Sequence, residues 1–414
     1  MPQLTRRIAL AATAAALLPR VTRAQAVGPE VKGVKLGYIA LTDAAPLIVA
    51  QERGYFAKHG MPEVDVAKQA SWGGTRDNLV LGGDRGGIDG AHLLTPMAYL
   101  IHSGRVVQNG VPVPMAILLR LNVNGQAISV ASSLKGATVD SRPLKSQFAA
   151  KTDSKVAMTF RGGTHDLWLR YWLAAGGINP EREVQTIVVP PPQMVANIKV
   201  GTMDALCVGE PWNDQLVHQK LGYTACITGE IWRDHPEKSL VMRADWVAKN
   251  PRAAQALTAA VIEAQIWADD LANKAELATL LGKRAWFNVP PADILPRSLG
   301  EIDYGDGRIV TESPLRMKFW ADHASYPFQS HDLWFLTEDI RWGILPPDTD
   351  TKAAIAAVNR EDIWRMAAAA AGVAASDMPA GTSRGKETFF DGQVFDPADP
   401  AAYLAGLKIK KTGA

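Results

Sequence analysis

Along residues 34–228 the apolar positions switch between two periods. Residues 34–39 form a short apolar run, and 63–68 alternate apolar with polar side chains; both spacings predict strands. Between them, Leu47, Ile48, Ala50 and Phe56 recur at helical spacing within 45–59, and Gly60 follows as a helix-ending glycine. The same criteria predict strands at 88–94, 115–121, 127–131, 156–160, 186–189, 205–208 and 224–228. They predict helices at 75–81, 165–175, 194–200 and 212–220. Asn122-Val123-Asn124-Gly125 reads as a turn between two of the strands. Strand and helix in alternation predict α/β lobes with mostly parallel sheets. From Pro251 the spacing becomes helical, over 253–273, over 287–295 after a proline pair, and over the alanine-rich 366–375. The final stretch, rich in Asp, Pro and Gly, reads as an extended wrap. These patterns predict a first lobe over 27–125 and a second over 126–240. Residues 241–414 return to the first lobe and add a mostly helical C-terminal extension. Two α/β lobes suggest a ligand in the cleft between them, beyond the carboxyl ends of the strands.

Residues 1–26 follow another pattern. Arg6 and Arg7 precede an apolar run at 8–18 that is too short to span a bilayer, and Ala24-Gln25-Ala26 has the form of a cleavage site. These are the three parts of a secretory signal peptide. Thr5-Arg6-Arg7-Ile8-Ala9-Leu10 has a loose twin-arginine form, with Ala9 where that signal prefers Phe. No cysteine stands near the cleavage site, so the expectation is a periplasmic protein without a lipid anchor. Removing the leader removes four arginines and no acids, which takes the formal net charge from +2 to −2. That near-neutrality argues against a nucleic-acid surface. The two cysteines, Cys207 and Cys226, each lie in a strand-like run. They are expected as buried free thiols, with a disulfide across adjacent strands as the alternative in an oxidising compartment.

Three segments follow strands and open helices: Ala70-Ser71-Trp72-Gly73-Gly74-Thr75, Arg161-Gly162-Gly163-Thr164-His165 and Val208-Gly209-Glu210-Pro211-Trp212. Free backbone N–H groups at a helix start, with the positive end of its dipole, favour an anion. One Gly-Gly pair before a helix is an ordinary turn; three segments in the same place relative to the strands point to a small anion. No G-x-S-x-G elbow, G-x-x-x-x-G-K-[ST] loop or H-E-x-x-H pair occurs. His235-Pro236-Glu237-Lys238 reads, in isolation, as a loop with solvated charge. These features favour a binding protein over an enzyme.

The motifs "LGYIALTDAAPLIVAQERGYFAKHG" (36–60), "KQASWGGTRDNLVLG" (68–82), "DGAHLLTPM" (89–97), "NVNGQAISV" (122–130), "FRGGTHDLWLRYWLAAGGI" (160–178), "VGEPWN" (208–213), "HPEKSLVMRADWVAKNP" (235–251) and "YPFQSHDLWFLTEDIRWG" (326–343) occur in order. Together they resemble the nitrate-binding proteins of bacterial ABC transporters, whose close relatives bind bicarbonate. The resemblance spans nearly the whole chain after the leader. It implies a type II periplasmic binding protein, a monomer that captures nitrate and nitrite. Its partners would be a membrane permease and its ATPase, with no cofactor and no metal. It also implies an anion held by Trp72, Gln126, His165, the backbone of Gly209, and Lys238. Taken singly, these would be a core residue, a turn residue, a helix cap, a turn former and a surface charge. Their ordered match is what gives them a shared role.

The chemistry of those side chains agrees with the resemblance. Nitrate is a planar monoanion that only accepts hydrogen bonds, and all five positions supply donors. Bicarbonate carries an O–H and needs an acceptor as well. Its binders, by the same resemblance, change the His and Lys positions and recruit a metal ion. The chain is expected to cross between lobes near Gly125–Ala127 and just after Lys238. Three other readings stand beside this one. They are a bicarbonate-binding subunit, a nitrate sensor acting on an RNA-binding antiterminator, and an enzyme on the same fold such as a thiamine-pyrimidine synthase. His165 and Lys238 argue against the first, the export signal against the second, and the lack of a cysteine cluster against the third.

Overall fold

The alternation of strand and helix resolves into two five-stranded sheets in a computed structural model that describes residues 28–411. The leader at 1–26 lies outside the described residues. The first sheet holds β1 (Lys35–Tyr38), β2 (Asp65–Lys68), β3 (Gly90–Leu94), β4 (Met115–Arg120) and, from later in the chain, β10 (Lys238–Arg243). Their order is β2-β1-β3-β10-β4, with β1 parallel to β2 and β3 and with β10 antiparallel to β3 and β4. The second sheet holds β5 (Gln126–Ala131), β6 (Lys155–Met158), β7 (Gln185–Val188), β8 (Ala205–Gly209) and β9 (Gly222–Ile227). Its order, β7-β6-β8-β5-β9, repeats the plan, with β6 parallel to β7 and β8 and with β5 antiparallel to β8 and β9. The sheets are therefore mixed rather than mostly parallel. In each, the strand that enters after a crossing between lobes, β5 or β10, runs against its neighbours.

The crossings occupy 121–125 and 228–237. The second precedes Lys238, where the sequence pattern places it after that residue and carries the second lobe to 240. Leu240, Val241 and Met242 are fully buried between β3 and β4, which draws β10 into the first sheet. The helical pattern at 45–59 is broken into Ala45–Glu52 and Tyr55–Lys58, because Gly54 adopts φ 72° between them. The helix expected at 75–81 begins earlier, at Trp72, behind Ser71 as its cap. The alanine-rich helix ends at Ala370, before Gly372 at φ 85°.

The long helix Pro251–Asp269 packs on Ala45–Glu52 and on Glu361–Ala370, and Ala253, Leu257, Val261 and Ala264 are buried along it at helical spacing. The C-terminal region does more than return to the first lobe. On the helix Gln329–Arg341, Asp332 pairs with Arg120 of β4, while Trp334 stacks on Trp168 of the second lobe at 4.8 Å between ring centroids. Phe389, Phe395 and Tyr403 then join the second lobe's core. Cys207 and Cys226 are buried and free. Both stand opposite Ile128, one on each side of β5, so two strand spacings separate them, about 10 Å and too far for a disulfide. Among the described residues no helix is long and apolar enough to cross a membrane.

Candidate functional site

An antiparallel strand begins where its neighbours end. The first residues of β5 and β10 therefore lie at the carboxyl ends of the parallel strands, facing the cleft. Those residues are Gln126 and Lys238. Gln126 stands across the ladder from Gly209, the last residue of β8. A Cβ at Gly209 would come within 2.6 Å of Gln126 Oε1 and 3.4 Å of Asp43 Oδ2, so a larger residue there would displace the Gln126 amide. His165 is the second residue of the helix Thr164–Ala175. Its Nε2 lies 2.7 Å from Gln126 Oε1 and 3.3 Å from Lys238 Nζ, and its Nδ1 lies 2.5 Å from Thr159 Oγ1. Trp72 packs its ring on His92, with centroids 5.2 Å apart. Its indole Nε1 is buried and has no hydrogen-bond partner among the described residues. All five residues singled out by the sequence are buried; Gln126, His165, Gly209 and Lys238 meet one another, and Trp72 stands behind His92.

The structure adds residues that the sequence reading passed over. Asp43, in the turn Thr42–Ala44 that follows β1, is fully buried. Its Oδ2 accepts from Gln126 Nε2 at 3.0 Å and lies 3.0 Å from Lys238 Nζ, while its Oδ1 accepts from His92 Nε2 at 2.6 Å. Glu237 Oε2 lies 2.7 Å from Lys238 Nζ and accepts from Thr164 Oγ1 at 2.9 Å; Oε1 accepts from Trp168 Nε1. The donors therefore meet two carboxyl groups, and the cleft is not lined by donors alone. His235, Glu237 and Lys238 are all fully buried, so the loop of solvated charge expected from "HPEK" is instead a packed crossing. Asp43 had a signal: it lies in the segment between β1 and the next helix, where the strand-end rule applies. Glu237 had one in its position beside Lys238.

Proton positions follow from this geometry. Gln126 Oε1 can only accept, so His165 donates from Nε2 and its Nδ1 accepts from the Thr159 hydroxyl. Burial, and then the Lys238 charge, hold the His165 imidazole well below its usual range, so the ring is neutral. Burial would raise the Asp43 carboxyl, but Lys238 and His92 outweigh it and hold that carboxyl well below the usual carboxylate range. For Glu237 burial prevails and its pKa is raised. Burial alone would lower Lys238; Asp43 and Glu237 raise it, and the ammonium stays charged.

The helix starts behave differently from the expectation of free N–H groups. Gly162 N–H donates to Asp166 Oδ2 at 2.9 Å, Gly74 N–H to Ser71 Oγ at 3.1 Å, and Asp214 N–H to Glu210 Oε2 at 3.2 Å. Side chains in or beside each first turn satisfy these donors. The side-chain donors of Gln126, His165 and Lys238 are engaged by Asp43, by Gln126 Oε1 and by Asp43 and Glu237, and Trp72 Nε1–H alone of these donors has no partner among the described residues. Among the described residues no group of three or more His, Cys, Asp or Glu is placed to hold a metal ion.

The NMT1-like family profile matches residues 27–282. The nitrate/nitrite binding protein NrtA of Synechocystis sp. PCC 6803 is 60% identical over 385 residues, covering 92% of this chain and 86% of its own length. The crystal structure of periplasmic nitrate-binding NrtA from Synechocystis PCC 6803 matches with a TM-score of 0.91 at 59% identity, over 92% of this chain and 100% of that one. The bicarbonate-binding protein CmpA of Synechococcus elongatus PCC 7942 is 41% identical over 405 residues, 94% of this chain and 90% of its own length. The nitrate import ATP-binding protein NrtC of Synechocystis is 34% identical over 387 residues, 93% of this chain and 56% of its own length.

Proposed function

The chain belongs to the NMT1-like family and, within it, to the nitrate/nitrite-binding proteins, and from that premise we propose that it captures nitrate and nitrite in the cleft between its lobes. It delivers the anion to the permease of an ATP-driven importer and performs no chemistry on it. One observation carries the reading. A buried ammonium, Lys238, stands with the side-chain donors Gln126 and His165 where the two lobes meet. A monoanion that only accepts hydrogen bonds matches such a set, and Trp72 Nε1–H is a further buried donor in want of an acceptor. Higher identity to the nitrate/nitrite-binding relative than to the bicarbonate-binding one, 60% against 41%, supports the same choice. The protein works as a monomer in the periplasm after loss of residues 1–26, without a lipid anchor. The Arg6–Arg7 pair makes the twin-arginine route the one to test.

Titration calorimetry of the mature protein tests the reading directly. Nitrate and nitrite should give saturable heat and bicarbonate none; heat with bicarbonate alone would overturn it. Lys238→Ala should weaken nitrate binding by about a hundredfold or more, because it leaves a buried anion without its counter-charge. An unchanged affinity removes Lys238 from the site. Sequencing the mature N-terminus separates an exported binding subunit from a cytoplasmic sensor, which would keep Met1.

A further inference from the structure

Asp43 has no part in the donor set just described, yet it holds the centre of the site. It is fully buried, and its carboxylate engages three of the cleft's polar side chains. Lys238 Nζ and Gln126 Nε2 both lie 3.0 Å from Oδ2, and His92 Nε2 lies 2.6 Å from Oδ1. The Cβ that Gly209 lacks would fall 3.4 Å from the same Oδ2. A carboxylate is a planar, trigonal monoanion with terminal acceptor oxygens, as nitrate is. It therefore lies among the donors to which the Proposed function assigns the ligand.

The Asp43 contacts also join the lobes. Asp43 follows β1 of the first lobe, and Gln126 opens β5 of the second. Beside them Thr42 N–H donates to Glu210 O at 2.8 Å, and Trp212 Nε1 donates to Ala40 O at 3.0 Å, both across the cleft. These contacts place the Asp43 carboxylate where the two lobes meet. Lys238 already faces Glu237 at 2.7 Å as well. A bound anion would be a third negative group around one ammonium, and like charges a few ångströms apart repel strongly in a dry site.

Resting on the nitrate reading, we propose that Asp43 is a built-in competitor of the ligand, an affinity-determining residue whose carboxylate shares Lys238 and Gln126 with the bound anion. It opposes that anion by its charge, and the anion is held loosely enough to be handed on.

The test compares the mature wild-type protein with Asp43→Asn, which keeps the shape and removes the charge. Without ligand, the variant should melt at a lower temperature, since Lys238 loses one partner. With saturating nitrate that deficit should close, and the nitrate Kd should fall on the order of tenfold or more. A folded Asp43→Asn protein whose nitrate affinity is unchanged or weaker overturns the proposal. Asp43→Ala with formate is the second arm. Formate should raise the melting temperature of that variant, leave wild type unmoved, and compete with nitrate. Formate without effect on the variant counts against Asp43 as the resident anion. A wild-type protein that gives no heat with nitrate sinks the functional reading instead, and the formate arm still reports on Asp43.

Discussion

Trp72 Nε1–H is a buried donor without a partner, and leaving such a group unsatisfied costs about 1–3 kcal/mol. Trp72→Phe keeps the ring on His92 and deletes the donor. The variant should be more stable than wild type without ligand by about 1 kcal/mol, and its nitrate affinity should drop about tenfold. Opposite signs in chemical denaturation and calorimetry check this; a loss in both would mean that the indole N–H serves packing alone. Gly209→Ala should move both quantities the same way. The new Cβ would stand 2.6 Å from Gln126 Oε1, and overpacking of that kind costs about 1–3 kcal/mol. It should also displace the Gln126 amide and weaken nitrate binding at least tenfold, measured by the same titration. At this scale the sequence was legible as to which residues come near one another: Gln126, His165, Gly209 and Lys238 meet, with Trp72 behind His92. It was not legible as to how their charges are paired. Asp43 is remote in sequence from Gln126 and Lys238, and no local spacing announces a contact made only when two sheets close on each other.

Elements were legible where periodicity ran long. The helix Thr164–Ala175 starts where the apolar spacing places it, and all strands of the second sheet fall on predicted runs. β10 went unpredicted because Ser239-Leu240-Val241-Met242 is too short to tell a buried strand from a buried helix. The mixed sheets share that cause, since strand direction is set by where the chain crosses, and hydrophobic pattern carries no direction. The loop before Thr164–Ala175 shows how tightly an element can be seated. Gly162 has φ 75°, and a Cβ there would meet Leu100 Cδ1 at 2.9 Å and Ile344 Cγ2 at 3.0 Å. Gly162→Ala therefore combines backbone strain with overpacking and should cost about 2–4 kcal/mol in urea unfolding. A cost below about 0.5 kcal/mol would mean that the loop repacks freely.

At the scale of the whole molecule, the C-terminal strap joins the lobes, and it carries a buried imidazole. His331 lies on the helix Gln329–Arg341, 2% exposed, with its ring edge-on to Trp232 at 5.6 Å and to Phe328 at 5.2 Å. Glu387 Oε1 is 3.8 Å away, beyond hydrogen-bond reach, and neither ring nitrogen has a partner among the described residues. Burial, and then the nearby Arg384 charge, push its pKa down to about 3. Unfolding returns the ring to an ordinary value near 6.5. Between those two pH values the unfolded chain binds a proton that the native protein refuses. Stability therefore rises with pH across that window, is complete above it, and falls on acidification. From pH 8 to pH 5 this one ring accounts for about 2 kcal/mol of lost stability. Buried carboxyl groups such as Asp332 and Glu237, whose values are raised, act in the opposite sense. The overall profile mixes the two, so the informative quantity is a difference between proteins. His331→Phe removes the titrating ring, while Glu387 keeps Arg384 as its partner. Urea unfolding at pH 8 and pH 5 should show the variant losing about 2 kcal/mol less than wild type. Equal losses in the two proteins would show that the native strap already accommodates a charged ring.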